Sequence, residues 1–93
     1  MRLKDKVVVV TGSTSGIGEA IARRSVAEGA RVLVHGLETD LGEAVAGSLG
    51  EAAALHIDDL ADPEAATRIV EAALSAFGRI DALVNNAARV QRS

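Results

Sequence analysis

Val7-Val8-Val9-Val10-Thr11-Gly12-Ser13-Thr14-Ser15-Gly16-Ile17-Gly18 is the stretch on which the reading of this chain turns. Four consecutive valines read as a strand buried on both faces. Three glycines then crowd into seven positions, and an amphipathic helical pattern starts at once. A strand that turns through glycines into a helix gathers main-chain N–H groups and the positive end of the helix around one point. The missing Cβ atoms let an anion come close to that backbone. The alternative is a glycine-rich turn with a purely structural role.

Outward from this stretch, strand-like runs alternate with helical ones. Strands are expected near Lys6–Thr11, Arg31–His35, Ala53–Ile57 and Ala82–Asn85. The first helix is expected over Gly16–Glu28, with Gly29 just beyond it. The second is expected over Thr39–Leu49, with Leu41, Ala44, Val45, Ser48 and Leu49 on one face and Gly50 as its stop. The third is expected to start with Asp62 as N-cap and Pro63 in the first helical position. Its apolar residues Ala66, Ile69, Val70, Ala73, Leu74 and Phe77 repeat at helical spacing, and Gly78 ends it. Strands that alternate with helices in this way imply βαβ crossovers and a parallel sheet. The fold class is therefore α/β, a parallel sheet in βαβαβαβ order.

Composition narrows the function. Ninety-three residues make one domain at most, and such a chain buries only ~60–65 % of its unfolded surface. Aromatic residues are 1 % of the chain, so the core must be built from Val, Ile, Leu and Ala. The absence of cysteine excludes disulfides and thiolate metal sites. Two histidines without a third ligand at metal spacing leave no metal site to expect. His35 reads as a strand-end residue and His56 as a core or sheet-edge one. A net charge of −3 with scattered basic residues argues against nucleic acid as a partner. No run is long enough to span a membrane, and Met1–Lys6 leads straight into a strand. A cytoplasmic protein is the expectation.

Gly12-x3-Gly16-x-Gly18 is neither G-x-G-x-x-G nor a Walker A loop, since no lysine follows its last glycine. Thr11-Gly12-x-x-x-Gly16-Ile17-Gly18 resembles the cofactor turn of the classical short-chain dehydrogenases/reductases. Asp59-Leu60 after the third strand resembles that family's adenine-reading pair. Asn85-Asn86-Ala87-Ala88 after the fourth resembles its NNAG, with Ala88 in place of glycine. Gly78-Arg79-Ile80-Asp81-Ala82-Leu83-Val84 also fits, and the resemblance runs from Lys4 to Ala88.

Residue by residue, the resemblance implies that the turn Gly12, Ser13, Thr14, Ser15, Gly16, Ile17 and Gly18 would hold a dinucleotide. Amides around Gly12, Ser13, Ser15 and Ile17 would lie near its pyrophosphate and ribose. Asp59 and Leu60 would meet the adenine; Asn86, Ala87 and Ala88 would line the nicotinamide side. One of Asn85 and Asn86 is expected to tie adjacent strands together. Gly36 stands where NAD-preferring relatives usually carry Asp, and Leu37 where many NADP-preferring ones carry Arg. Loss of the acid removes a repulsion, so NADP(H) is expected to be weakly preferred over NAD(H). By the same resemblance the sheet would be Rossmann-like in the order 3-2-1-4, the N-terminal half of a doubly wound fold spanning residues 1–93, with the fourth strand an exposed apolar edge.

The resemblance implies an oxidoreductase that moves a hydride between a small alcohol or carbonyl and NAD(P), similar to 3-oxoacyl thioester reductases, and a homo-oligomer. The family's chemistry needs a tyrosine with a lysine four residues on. This chain has no tyrosine, and its only lysines are Lys4 and Lys6. No catalytic residue is therefore expected within it, and alone it should be a fragment without activity and without a stable monomeric state. The alternatives are a non-catalytic nucleotide-binding half domain, completed by a partner chain or by self-association, and a degenerate product with no function.

Overall fold

The computed structural model describes residues 2–86. Its elements are β1 (Val7–Thr11), α1 (Gly16–Ala27), β2 (Arg31–Gly36), α2 (Thr39–Leu49), a 3₁₀ turn (Gly50–Ala52), β3 (Ala53–Ile57), α3 (Ala65–Phe77) and β4 (Ala82–Asn85). The four strands form one parallel sheet in the order β3-β2-β1-β4. This is the Rossmann-like arrangement expected from the sequence.

Alternation along the two inner strands divides the core. Val8, Val10, Val32 and Val34 point to one face and pack with Ala22 of α1 and Val45 of α2. Val9 and Leu33 point to the other and pack with Ile69 and Ala73 of α3. Right-handed crossovers produce this division: moving from β1 to β2 to β3 lays α1 and α2 on one side, and the return to β4 lays α3 on the other. Asp81 fastens the start of β4 to β1 through two bonds. Its N–H donates to Val7 O at 2.8 Å, and its Oδ2 accepts from Val7 N at 2.8 Å. Arg79, 2.7 Å from Asp81 Oδ1, holds that carboxyl below the usual carboxylate range.

The structure corrects three expectations. The buried residues of α2 are Gly42 and Val45, while Leu41, Ala44 and Ser48 face out. Gly42 is what turns the helix. A Cβ there would come within 2.7 Å of Leu55 Cδ1 and 2.9 Å of Ile57 Cδ1, so β3 side chains fill the space a larger residue would need. The third helix begins at Ala65 with Glu64 as its cap, not at Pro63 with Asp62. Asp62 instead makes a turn of its own: Oδ1 accepts from Glu64 N at 2.8 Å and its carbonyl from Ala65 N at 3.0 Å. That local bond competes with continuation of the helix backward. Lastly, α3 buries only part of its apolar stripe. Ala65, Ile69 and Ala73 are covered, while Val70 and Leu74 stay 42 % and 46 % exposed, and Leu83 on β4 stays 60 % exposed.

Gly47, by contrast, faces open space in α2, where an added methyl group would meet nothing within 4 Å. Gly47→Ala is therefore expected to stabilise the protein by ~0.5–1 kcal/mol through helix propensity and a less flexible unfolded chain. A urea-unfolding midpoint that fails to rise would contradict this.

Candidate dinucleotide site

The strand order reverses direction at β1. The chain leaves β1 toward α1 on one face, whereas α3, which leads into β4, lies on the other. A crevice opens over the carboxyl ends of the strands at such a switch point. Here it measures about 840 Å³, and Gly12, Thr14, Ser15, Leu37, Asp59 and Asn85 are among the residues that line it.

The turn from β1 into α1 forms one wall. Gly12 and Gly16 have φ of +64° and +59°, a conformation that side chains resist. Gly18 lies buried in the first turn of α1, where a Cβ would fall onto the Gly12 carbonyl oxygen and within 2.5 Å of Asn86 Nδ2. Ser15 caps α1 in extended conformation without a side-chain bond, and Ser15, Gly16 and Ile17 are all exposed. The free amides of a helix start thus lie at an exposed edge of the crevice, which Ser15 lines while Gly16, Ile17 and Gly18 stand outside its lining.

Gly12 and Ser13 are placed differently from the expectation that their amides approach a pyrophosphate. Gly12 N–H donates to His35 Nδ1 at 3.0 Å, and Ser13 N–H to His35 O at 2.8 Å. Ser13 is fully buried. Its hydroxyl donates to Val10 O at 2.8 Å and accepts from His35 N at 2.9 Å. Ser13 therefore holds the turn to β2 from behind. Thr14 closes on β2 as well: its Cγ2 would lie 2.5 Å from a Cβ at Gly36, so the strand ends in glycine where Thr14 sits.

His35 is buried and uses both ring nitrogens. Gly12 N–H can only donate, so Nδ1 accepts; Asp58 O, 3.1 Å from Nε2, can only accept, so Nε2 carries the proton. These partners define a neutral ring. Burial, aided by the charge of His56, pushes its pKa below the ordinary 6.5, against the opposing pull of Asp58.

Asp58 anchors the loop after β3. Arg68 on α3 grips it with Nε at 2.7 Å and Nη2 at 2.8 Å, and also reaches Asp62 at 2.9 Å. His56 Nε2 adds a contact at 2.9 Å, from the edge strand as expected. Arg68 first and His56 second hold the Asp58 carboxyl well below the usual carboxylate range. Between these anchors Asp59 is exposed. Its Oδ1 accepts from Ala61 N at 2.9 Å and its N–H donates to Asp58 Oδ1 at 2.9 Å. Leu60 packs partly against the α3 side of the core. Nothing in the sequence marks Arg68 out, because the acceptors of one loop converge on it only in the folded chain.

On the far side Asn86 Nδ2 donates to Gly12 O at 3.1 Å, and the Thr11 hydroxyl meets Asn85 Oδ1 at 3.3 Å. Both asparagines thus brace β4 and its end against β1. Ala87 and Ala88 lie outside the described residues. Among the described residues no group of three or more His, Cys, Asp or Glu could hold a metal ion, and no helix is long and apolar enough to cross a membrane.

Fold and crevice together are of the Rossmann type, a parallel sheet in the order β3-β2-β1-β4 with a crevice at its switch point. The chain matches the short chain dehydrogenase family over residues 6–93 and belongs to that family. It is 42 % identical over 88 residues to an NADP-dependent (R)-specific alcohol dehydrogenase of Lentilactobacillus kefiri, covering 92 % of this chain and 35 % of the relative. It is 45 % identical over 89 residues to a meso-2,3-butanediol dehydrogenase of Serratia marcescens, covering 94 % and 35 %. Among solved structures it resembles a 3-ketoacyl-(acyl-carrier-protein) reductase from Brucella melitensis complexed with NADH. The TM-score is 0.84 and the identity 40 %, over 87 % of this chain and 33 % of that one. The chain thus spans about a third of the length of the relatives it matches.

Proposed function

We propose that this chain supplies the dinucleotide-binding half of an NAD(P)-dependent oxidoreductase acting on a small alcohol or carbonyl compound. The observation that carries the reading is the close approach of Gly18 to Gly12 beneath the open start of α1, a cradle that any side chain at position 18 would fill. The residues fit the group. Ser15, Gly16 and Ile17 would present amides to the pyrophosphate, with Gly12, Ser13, Thr14 and Gly18 shaping the turn. Asp59 and Leu60 would bound the adenine, Leu37 the ribose, and Asn86 with Ala87 and Ala88 the nicotinamide side. When bound, the dinucleotide accepts or delivers the hydride. The proton that accompanies it needs a donor beyond these 93 residues, which contain no tyrosine. By itself the chain would bind without turning over.

The missing acid at Gly36 favours NADP(H), but the charge of the crevice works the other way. Glu38 and Asp59 line it, and among the described residues no lysine or arginine does. Each carboxylate would oppose a 2′-phosphate by on the order of 1 kcal/mol. NAD(H) is therefore the tighter ligand in this reading. Titration of the purified protein with NADH and NADPH, followed by nicotinamide fluorescence, tests both parts. NADH is expected to bind about tenfold more tightly at low salt, with the gap narrowing as salt screens the acids. Tighter NADPH overturns the charge argument, and failure of both to bind overturns the function.

The uncovered Leu83, Val70 and Leu74 favour a second element of the reading: this half is completed by further structure, from its own polypeptide or from another copy. A homo-oligomer is the proposed form.

A further inference from the structure

His35 lies outside the set of residues assigned to the dinucleotide, yet it touches both ends of the crevice. Its Nδ1 holds the Gly12 amide in the turn after β1, and its Nε2 holds the Asp58 carbonyl at the end of β3. These partners lie 23 residues away on either side in sequence, and the one imidazole ring spans the gap between them. The His35 backbone holds Ser13 of the same turn. Asp58 in turn bonds the backbone of Asp59. We infer that His35 is a positioning residue: its neutral ring fixes the wall that faces the pyrophosphate relative to the loop that faces the adenine, and its protonation uncouples them and weakens dinucleotide binding. The inference rests on the dinucleotide reading proposed above.

The chemistry of the uncoupling is specific to one atom. A proton added at Nδ1 turns the acceptor of the Gly12 N–H into a second donor, 3.0 Å from the first. Two donors cannot share that bond, so the turn must withdraw or the ring must rotate. The surroundings do not relieve the new charge. β1 and the turn bring no titratable side chain to the ring. From β3, His56 pairs in register with His35 and repels an imidazolium. The Asp58 carboxylate attracts one but is already engaged by Arg68 from α3 and by His56. Glu38 and Asp59 are the further carboxylates of the crevice.

The sign follows from burial. The folded protein holds the ring neutral to lower pH than an unfolded chain does, so the protein loses stability as pH falls below the ordinary 6.5. Affinity follows the ring of the folded protein instead, so it stays flat through 6.5 and falls only at the lower pH where that ring takes up its proton.

The test uses ADP-ribose, which has the adenosine and the pyrophosphate without the redox ring. Its binding to the purified protein is measured by calorimetry from pH 8 to pH 5, with ¹⁵N NMR of the histidine rings and of the Gly12 amide in the free protein. The wild type is expected to bind equally well from pH 8 to below 6.5 and to weaken only where the ring titrates in the folded protein, approaching tenfold per pH unit there. His35→Asn puts a non-titrating acceptor near Nδ1, and is expected to stay within about threefold at pH 8 and to lose the acid weakening. His35→Gln leaves the Gly12 N–H without its acceptor, and is expected to bind about tenfold more weakly at every pH. The same acid weakening in His35→Asn overturns the inference, as does wild-type affinity that holds while the ring is seen to protonate. Should either variant fail to fold, the wild-type NMR decides: a Gly12 amide that does not titrate with the ring overturns it. Failure of ADP-ribose to bind at any pH overturns the dinucleotide reading itself, whereas binding without the histidine dependence overturns only the inference.

Discussion

Gly18→Ala is expected to abolish measurable dinucleotide binding and to destabilise the protein by about 1–3 kcal/mol. The new methyl would overlap the Gly12 carbonyl oxygen and come within 2.9 Å of the Gly12 carbonyl carbon. Both are backbone atoms, so no rotamer change relieves the overlap. Asn86 Nδ2, which donates to that same oxygen at 3.1 Å, would be displaced as well, and the end of β4 would lose its tie to the turn. Helix propensity works in the opposite direction, by ~1 kcal/mol in favour of alanine. Packing wins because Gly18 is buried, whereas propensity alone decides only at open positions such as Gly47. Gly16→Ala is the useful control. It meets nothing within 4 Å but must hold φ near +59°, so it strains the backbone without filling the cradle. Urea unfolding and NADH titration of the two variants separate strain from occlusion. A Gly18→Ala protein that binds NADH within threefold of wild type would remove the turn from the site.

The contrast among the glycines also explains what is visible in the sequence. The strands are legible because their residues have one use: Val7–Val10 and Val32–Val34 cannot be exposed, and β-branching suits their valines to a sheet. The helix stops are legible because Gly29, Gly50 and Gly78 do adopt positive φ at the ends of helices. The buried face of α2 escapes a periodicity argument because glycine counts as no hydrophobe in it. Gly42 is nevertheless at the centre of that face, where Leu55 and Ile57 occupy its missing side chain. The start of α3 escapes because Asp62 and Pro63 satisfy the rules for a cap, while the Asp62 carboxylate is taken up by a turn and by Arg68.

The site is legible in outline and not in its hydrogen bonding. Glycines at 12, 16 and 18 announce a turn that side chains resist: Gly12 and Gly16 hold positive φ, and Gly18 leaves room for the Gly12 carbonyl. The use of Gly12 N–H and of Ser13 by β2 cannot be read, because each bond joins residues 22 or 23 apart whose pairing exists only once β1 and β2 lie side by side. His35 shows this best. In sequence it is a polar residue at the end of an apolar strand. In the fold it is buried between two loops with both nitrogens engaged.

Leu33→Ala is expected to cost about 3–5 kcal/mol, close to the whole stability of a small domain. Leu33 is 1 % exposed in β2, which has strands on both sides and so cannot shift to close a cavity. Among the described residues the fully buried part of the cluster beneath α3 is Val9, Leu33, Ile69 and Ala73, with Ala54, Leu60, Ala72, Phe77 and Ile80 partly buried around it, and Leu33 faces the helix from the centre of the sheet. Removing three carbons from the middle of that layer opens a cavity beneath α3, and so beneath the helix that carries Arg68. Chemical unfolding should show the midpoint lowered with its slope unchanged. Leu83→Ala supplies the comparison. With Leu83 60 % exposed, its truncation should cost no more than ~0.5 kcal/mol if that face is open to water. A cost for Leu83 that approaches the cost for Leu33 would mean that the face is covered in the purified protein. The pair of variants thus measures both the core under α3 and whether a second layer lies against β4.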